Sequence, residues 1–418
     1  MEFKLKKDKE YVYASINDNY KINTLIPGEQ QSFESEELLI KNALRSPTGT
    51  KPLHEIVNTG DSVVIVTSDI TRPVKSKTIL PYIIEELNSG GIRNEDITIV
   101  LALGSHRSHT EEEKRALVGD AVYENIRVID SDMNQCKNFG VCKNGTPVDI
   151  FTPVAEADRV ICIGNVEFHY FAGYSGGAKA IMPGVSSREA IQANHSNMVK
   201  DGAYAGNIDT NPVRQDIDEV GEHFKIDFIF NVLQASDKTI VGAFAGHYIK
   251  AHRAACQALD EMYKIKIDEK ADIVIVSPGG YPKDINIYQA QKALDNARHA
   301  VKDGGIIILC ASCKEGFENN TFEKWMTTKT KEQMVKDIKE NFVLGGHKAA
   351  AIAMTLMKSS IYTVTDYDGE IMEKIGFEYF DNLQDAVDKA SAVTGEKGTV
   401  IIMPAGGSVL PTNFSNGG

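Results

Sequence analysis

The sequence predicts an α/β protein: two α/β domains with mostly parallel sheets. Three observations carry this expectation. Short runs of β-branched and aliphatic residues recur along the chain, amphipathic helical stretches separate several of them, and glycine or small polar residues follow the runs directly. Runs that are apolar on both faces suit strands covered by helices on each side, the usual setting of a parallel sheet.

Taken in order, the first run is Val63-Val64-Ile65-Val66, followed by Ser68-Asp69 and an amphipathic stretch from Lys75 to Asn88. Ile97-Thr98-Ile99-Val100-Leu101 leads into Gly104-Ser105-His106, and Val160-Ile161-Cys162-Ile163 into Gly164-Asn165. Ile273-Val274-Ile275-Val276 precedes Gly279-Gly280 and a helical pattern from Ile287 to Lys302. Ile306-Ile307-Ile308-Leu309 and Val400-Ile401-Ile402-Met403 complete the set. Open α/β sheets bind ligands beyond the C-terminal ends of their strands, so residues after these runs are candidate site residues.

The charged stretch Lys264 to Lys270 marks a boundary before a fresh strand. We therefore expect an N-terminal domain over residues 1–268 and a C-terminal domain over residues 269–396. Residues 397–418 hold the last run, which can complete the first domain or join the second.

A chain of 418 residues with 42% hydrophobic and 25% charged residues is long enough for two buried cores. The balance of 45 basic against 58 acidic residues, net charge -13, argues against nucleic acid and anionic membranes as partners. No apolar run approaches bilayer length, and Met1-Glu2-Phe3-Lys4-Leu5-Lys6 lacks the apolar stretch of a signal peptide, so a cytoplasmic enzyme is expected. The six cysteines are too sparse for a disulfide framework and read as reduced thiols. Cys310-Ala311-Ser312-Cys313 has metal or redox spacing but no second pair to complete a four-thiolate site.

The segment Phe168-His169-Tyr170-Phe171-Ala172-Gly173-Tyr174-Ser175-Gly176-Gly177-Ala178-Lys179, followed by Asn194-His195, concentrates imidazoles, an amine and glycines. Histidine moves protons or binds metal, and lysine can carry a covalent adduct. The run Gly173 to Lys179 fails as a phosphate loop because Ala178 and Ala180 flank the lysine, where glycine and a hydroxyl residue are needed. Apolar neighbours would instead desolvate Lys179 and make its amine nucleophilic, or the lysine caps backbone under a glycine-rich turn. His195 falls on the last turn of a Ser187-led helix, where it can ligate a metal or simply cap. Within Thr67-Ser68-Asp69-Ile70-Thr71-Arg72-Pro73, Asp69 and Arg72 follow a strand, and the Arg72 fork suits a carboxylate or phosphate. His106 follows a strand and glycine, in a position for acid/base work; His109 reads as solvated. His169 lies among aromatic residues that would exclude water. Tyr288, Gln289 and Lys292 share one face of a helix, suited to an anionic substrate or to solvent.

These motifs, together with Gly279 to Lys292, resemble the nickel-dependent lactate racemase family over nearly the whole chain. The resemblance implies two α/β domains with an active-site cleft between them and a racemase or epimerase acting on a 2-hydroxy acid, lactate-like or larger. It implies a nickel-pincer nucleotide, a pyridinium thioamide/thioacid mononucleotide, covalently attached to Lys179, with His195 as nickel ligand and Asp69 toward the cofactor's polar portion. By the same resemblance His106 and His169 are the paired acid/base residues, and Arg72, Tyr288, Gln289 and Lys292 bind substrate. The partners implied are a small 2-hydroxy acid and the enzymes that synthesise the cofactor, without which recombinant protein would be cofactor-free. Hydride removal avoids placing a carbanion beside a carboxylate, and each histidine would take the hydroxyl proton of one enantiomer. Two other classes compete: a non-enzymatic carrier of the nickel nucleotide, which leaves His106 and His169 idle, and a metal-free lysine Schiff-base enzyme, which leaves His195 unexplained.

Overall fold

The computed structural model describes residues 1–28, 34–71, 74–235, 237–395 and 397–413. It divides into two compact units, a continuous one, Glu29–Glu261, and a discontinuous one made of Met1–Gly28 and Met262–Gly418. All six apolar runs are strands, in two six-stranded sheets. Among the described residues no helix is long and apolar enough to cross a membrane.

The sheet of the continuous unit runs Ile240–Gly246, Phe228–Gln234, Arg159–Asn165, Val63–Ser68, Ile97–Ala102, Arg127–Asp130, and only its first edge pairing is antiparallel. Its strands are apolar on both faces because both are covered, one by helices such as Ser76–Ser89 and the other by the segment around Gly177–Ala180. Ile65, Ile99 and Ile161 are fully buried, and each such side chain contributes about 1.5–3 kcal/mol. The helix Ser76–Ser89 buries Ile79, Leu80, Ile83, Ile84 and Leu87, the spacing of one helical face. The strand Val63–Ser68 has the next strand in sequence on one side and Arg159–Asn165 on the other, so the direction of winding reverses between them. Such a reversal splays the two connections apart and opens a crevice at the strand C-termini.

The sheet of the discontinuous unit is all parallel, in the order Glu378–Phe380, Ser360–Val364, Val301–Cys310, Ala271–Val276, Thr399–Met403, Lys21–Thr24. This corrects the expected domain limits. Residues 1–28 do not belong with residues 29–261: Lys21–Thr24 pairs with Thr399–Met403, and the ribbon Glu2–Lys7/Glu10–Ser15 buries Leu5 and Ala14 in the core of Ile273 and Ile308. The last run pairs with Ala271–Val276 and so completes the second sheet, not the first. The charged stretch after residue 263 is itself a strand, Lys264–Ile267, paired with Leu410–Asn413. The helix expected from Ile287 to Lys302 stops at Ala297, where the chain turns into the long strand Val301–Cys310.

Candidate active site

The site is built at the C-terminal ends of Val63–Ser68, Ile97–Ala102 and Arg159–Asn165. His106 Nδ1 lies 2.6 Å from Asp69 Oδ2, and the Thr71 hydroxyl donates to Asp69 Oδ1 at 2.8 Å. Asp69 is 4% exposed. Burial pushes its carboxyl up, but the hydrogen bond and charge of His106, the Thr71 hydroxyl and the charge of His109 outweigh it, and the net pKa lies below the ordinary value. An ionised Asp69 accepts a hydrogen bond from the Nδ1–H of His106 and so leaves the Nε2 lone pair for a reacting group. With both oxygens of Asp69 engaged inside the protein, its geometry is that of a group that orients His106. His109, expected to be solvated, is buried. Its Nδ1 donates to Asp130 at 2.6 Å and its Nε2 accepts from Ile70 N–H at 3.2 Å, so it fixes the loop that carries Asp69.

The His106 turn meets the lysine segment through Gly104 N–H, which donates to Gly184 O at 2.9 Å, while Gly184 N–H reaches back to Lys179 O at 3.4 Å. Lys179 is half-buried on the short 3-10 turn Gly177–Ala180. The glycines before it are used for packing on the protein itself. Gly177 has φ 63°, and a Cβ there would sit 2.9 Å from the His252 ring. Gly177 N–H donates to Asn231 Oδ1 at 2.9 Å, and His252 Nε2 donates to Ser175 O at 2.8 Å. Arg214, fully buried, donates to the carbonyls of Ala172, Tyr174 and Gly176, and pairs with Asp218 at 3.4 Å. Burial, then the Arg214 and Arg253 charges, hold His252 well below the ordinary histidine value, so it is neutral. Arg214, His252 and Asn231 went unnoticed in the sequence.

His169 is 6% exposed, and its Nδ1 accepts from Ala172 N–H at 3.3 Å. A neutral His169 therefore carries its proton on Nε2, the opposite tautomer to His106. The Phe171 ring stands edge-on to His169 at 4.5 Å and to His195 at 5.0 Å, joining the two imidazoles through one aromatic wall. His195 is 8% exposed on the last turn of Arg188–Ser196, a helix capped by Ser187 as expected.

Asp69, His106, His169, Lys179 and His195 all lie on the continuous unit, Asp69 paired with His106 and His169 joined to His195 through Phe171. Arg72 lies outside the described residues. Tyr288, Gln289 and Lys292 belong to the discontinuous unit, on the helix Ile287–Ala297 capped by Asn286. Lys292 is exposed, and Gln289 Nε2 donates to Glu318 at 3.3 Å. Lys348, 6% exposed, was not anticipated; its ammonium lies 3.9 Å from the centre of the Tyr288 ring and donates to Tyr288 O.

Comparison with known proteins decides the family. Residues 8–206 match the lactate racemase N-terminal domain, and residues 267–410 match the lactate racemase C-terminal domain. The chain belongs to the lactate racemase family. It is 33% identical over 390 residues to the lactate racemase of Thermoanaerobacterium thermosaccharolyticum, covering 90% of each chain. It is 31% identical over 416 residues to that of Lactiplantibacillus plantarum, covering 96% of this chain and 98% of the other. The structure of the Thermoanaerobacterium thermosaccharolyticum lactate racemase apoprotein superposes with TM-score 0.87 at 32% identity, over 99% of this chain and 100% of that one. A Thermotoga maritima protein, 18% identical with TM-score 0.65 over 92% of this chain and all of its own, shares the fold.

The chain is accordingly an isomerase, a racemase. A racemase handles both mirror forms of its substrate, so it needs proton donors and acceptors that exchange roles when the reaction reverses. His106 and His169 are held in opposite tautomers, one with Nε2 free to accept and the other with Nε2 set to donate.

Proposed function

We propose that this racemase interconverts the enantiomers of a small 2-hydroxy acid, lactate foremost, by reversible hydride transfer. The observation that carries the reading is the opposite tautomeric setting of His106 and His169, on the same unit as a half-buried lysine, Lys179. The names of the relatives support lactate as the first substrate to test.

The residues present fit a tethered nickel-pincer nucleotide. Lys179 sits on a turn held by Asn231, His252 and Arg214, a rigid base for a covalent tether, and His195 offers an imidazole inside an aromatic wall. Lys179 would carry the group and His195 would ligate the nickel. When bound, the cofactor supplies a hydride acceptor.

The chain's own residues do the rest. His106 Nε2 takes the hydroxyl proton of one enantiomer while Asp69 holds the imidazole and stabilises its charge. His169 performs the same task for the mirror substrate. Asp69 is assigned to positioning His106 rather than to the cofactor. Arg72, Lys292, Tyr288 and Gln289 are assigned to substrate binding, the two cations for the carboxylate. The test is polarimetry on cofactor-loaded protein with optically pure 2-hydroxy acids: lactate should lose its rotation from either enantiomer. Constant rotation with every acid, in protein whose adduct is verified by mass, would refute the reading.

A further inference from the structure

A second constellation lies away from these residues in the continuous unit, where Cys142, Glu219 and His223 bring one donor atom each to within 4.8 Å of one another. We propose that these three residues bind one divalent transition-metal ion, zinc foremost, that staples the hairpin of Cys136–Val141 and Pro147–Phe151 to the helix Pro212–His223.

Thiolate, imidazole and carboxylate are the donors that zinc takes, with bonds of about 2.0–2.3 Å, so donor atoms up to 4.8 Å apart close the shell by rotamer adjustments of up to about 1 Å. A soft sulfur ligand disfavours magnesium and calcium. Glu219 and His223 are four apart and share a helix face, and His223 Nε2 already lies 3.8 Å from Glu219 Oε1, near the edge of a zinc tetrahedron.

The surrounding backbone is organised for this meeting. Cys142 N–H donates to Thr146 O and Gly145 N–H to Cys142 O, each at 2.8 Å, which fixes the turn that presents the sulfur. Lys143 N–H donates to Glu219 Oε1 at 3.0 Å and orients the carboxylate. Gly140 has φ 124°, and a Cβ there would lie 3.0 Å from His223 Nδ1, so the glycine makes room for the imidazole against the hairpin. Phe139 and Phe224 pack edge to face at 5.1 Å and clamp the same joint.

Burial, with the nearby charges of Asp216, Glu219 and Glu222, pushes the Cys142 thiol up to about 12, so binding forms a metal–sulfur bond and releases the thiol proton to solvent. Those acidic groups also favour a cation. The His223 side chain is 28% exposed, which gives an ion a way in, and water takes the fourth position. None of the three residues has a role in the racemase site.

The test uses the full chain, stripped with a chelator, then titrated with Zn²⁺ by calorimetry and with Co²⁺ by absorbance. The expected result is one ion per chain with proton release and a thiolate-to-cobalt charge-transfer band. Cys142→Ser should abolish the band, and Cys142→Ser and His223→Ala should each weaken Zn²⁺ binding at least ~10-fold, with circular dichroism unchanged. His195→Ala should leave binding intact, separating this site from the one proposed for nickel. His223 is partly exposed, so its variant tests the site even if Cys142→Ser folds poorly. Wild-type protein that takes up no Zn²⁺, or binding insensitive to both substitutions, would overturn the proposal.

Discussion

His106 Nδ1 and Asp69 Oδ2 stand 2.6 Å apart, with the Thr71 hydroxyl held on the same carboxylate. In the proposed mechanism this pair sets which nitrogen of His106 meets the substrate. Asp69→Asn keeps the shape but loses the charge and can present an N–H to Nδ1, favouring the wrong tautomer. Steady-state kinetics on loaded enzyme should show kcat falling by ~10²–10⁴-fold, the range for general acid–base catalysis, with KM little changed. A fall in KM-determined affinity alone would place Asp69 on the substrate instead.

Lys179→Ala should yield protein with no covalent adduct after exposure to the matured cofactor, as read by intact mass. His106→Ala should carry the adduct and lose turnover. An adduct on Lys179→Ala, or one on wild-type protein trapped by borohydride without nickel, would contradict the assigned tether.

His252 makes stability pH-dependent. Unfolded, it protonates near its ordinary value of 6.5; folded, burial and the neighbouring arginines keep it neutral to much lower pH. Between those values the unfolded chain binds more protons, so stability is complete above about pH 6.5 and lost as pH falls, at up to about 1.4 kcal/mol per pH unit. Thermal melts between pH 7 and 5 should show the decline, and His252→Gln, which can still donate to Ser175 O, should flatten it. Equal slopes in both proteins would exclude His252 as the cause.

Arg214→Ala strips the donors from three loop carbonyls and leaves Asp218 with one fewer cation in a buried setting. Breaking such a buried charge pair typically costs about 3–5 kcal/mol. Chemical denaturation should register a loss of that order, and Arg214→Lys, lacking the planar fork, should recover only part of it.

Much of this architecture was legible in the sequence because parallel strands buried on both faces leave unbroken β-branched runs, and all six such runs are strands. The residues that follow them gave the candidate site for the same reason: His106 and Asp69 end adjacent strands and meet. Partnership over long separations was not legible. The ribbon that carries Phe3 and Leu5 is not among the runs read as strands, and nothing local says that its core contains Ile273 and Ile308. His109 and Arg214 look like solvated polar residues until the carboxylate and carbonyls that satisfy them are brought in from other elements. The charged Lys264–Ile267 segment read as a linker because its burial depends on a partner strand at the far C-terminus.

The central claim is that hydrogen leaves the substrate carbon as hydride and returns to its other face, while the histidines move only the hydroxyl proton. Racemisation of L-lactate deuterated at C2, run in ordinary water on loaded enzyme and followed by mass spectrometry, tests it most directly. The account predicts D-lactate that keeps its deuterium, formed more slowly than from unlabelled substrate. Deuterium lost to solvent as the enantiomers interconvert would mean proton abstraction at carbon, and would contradict it.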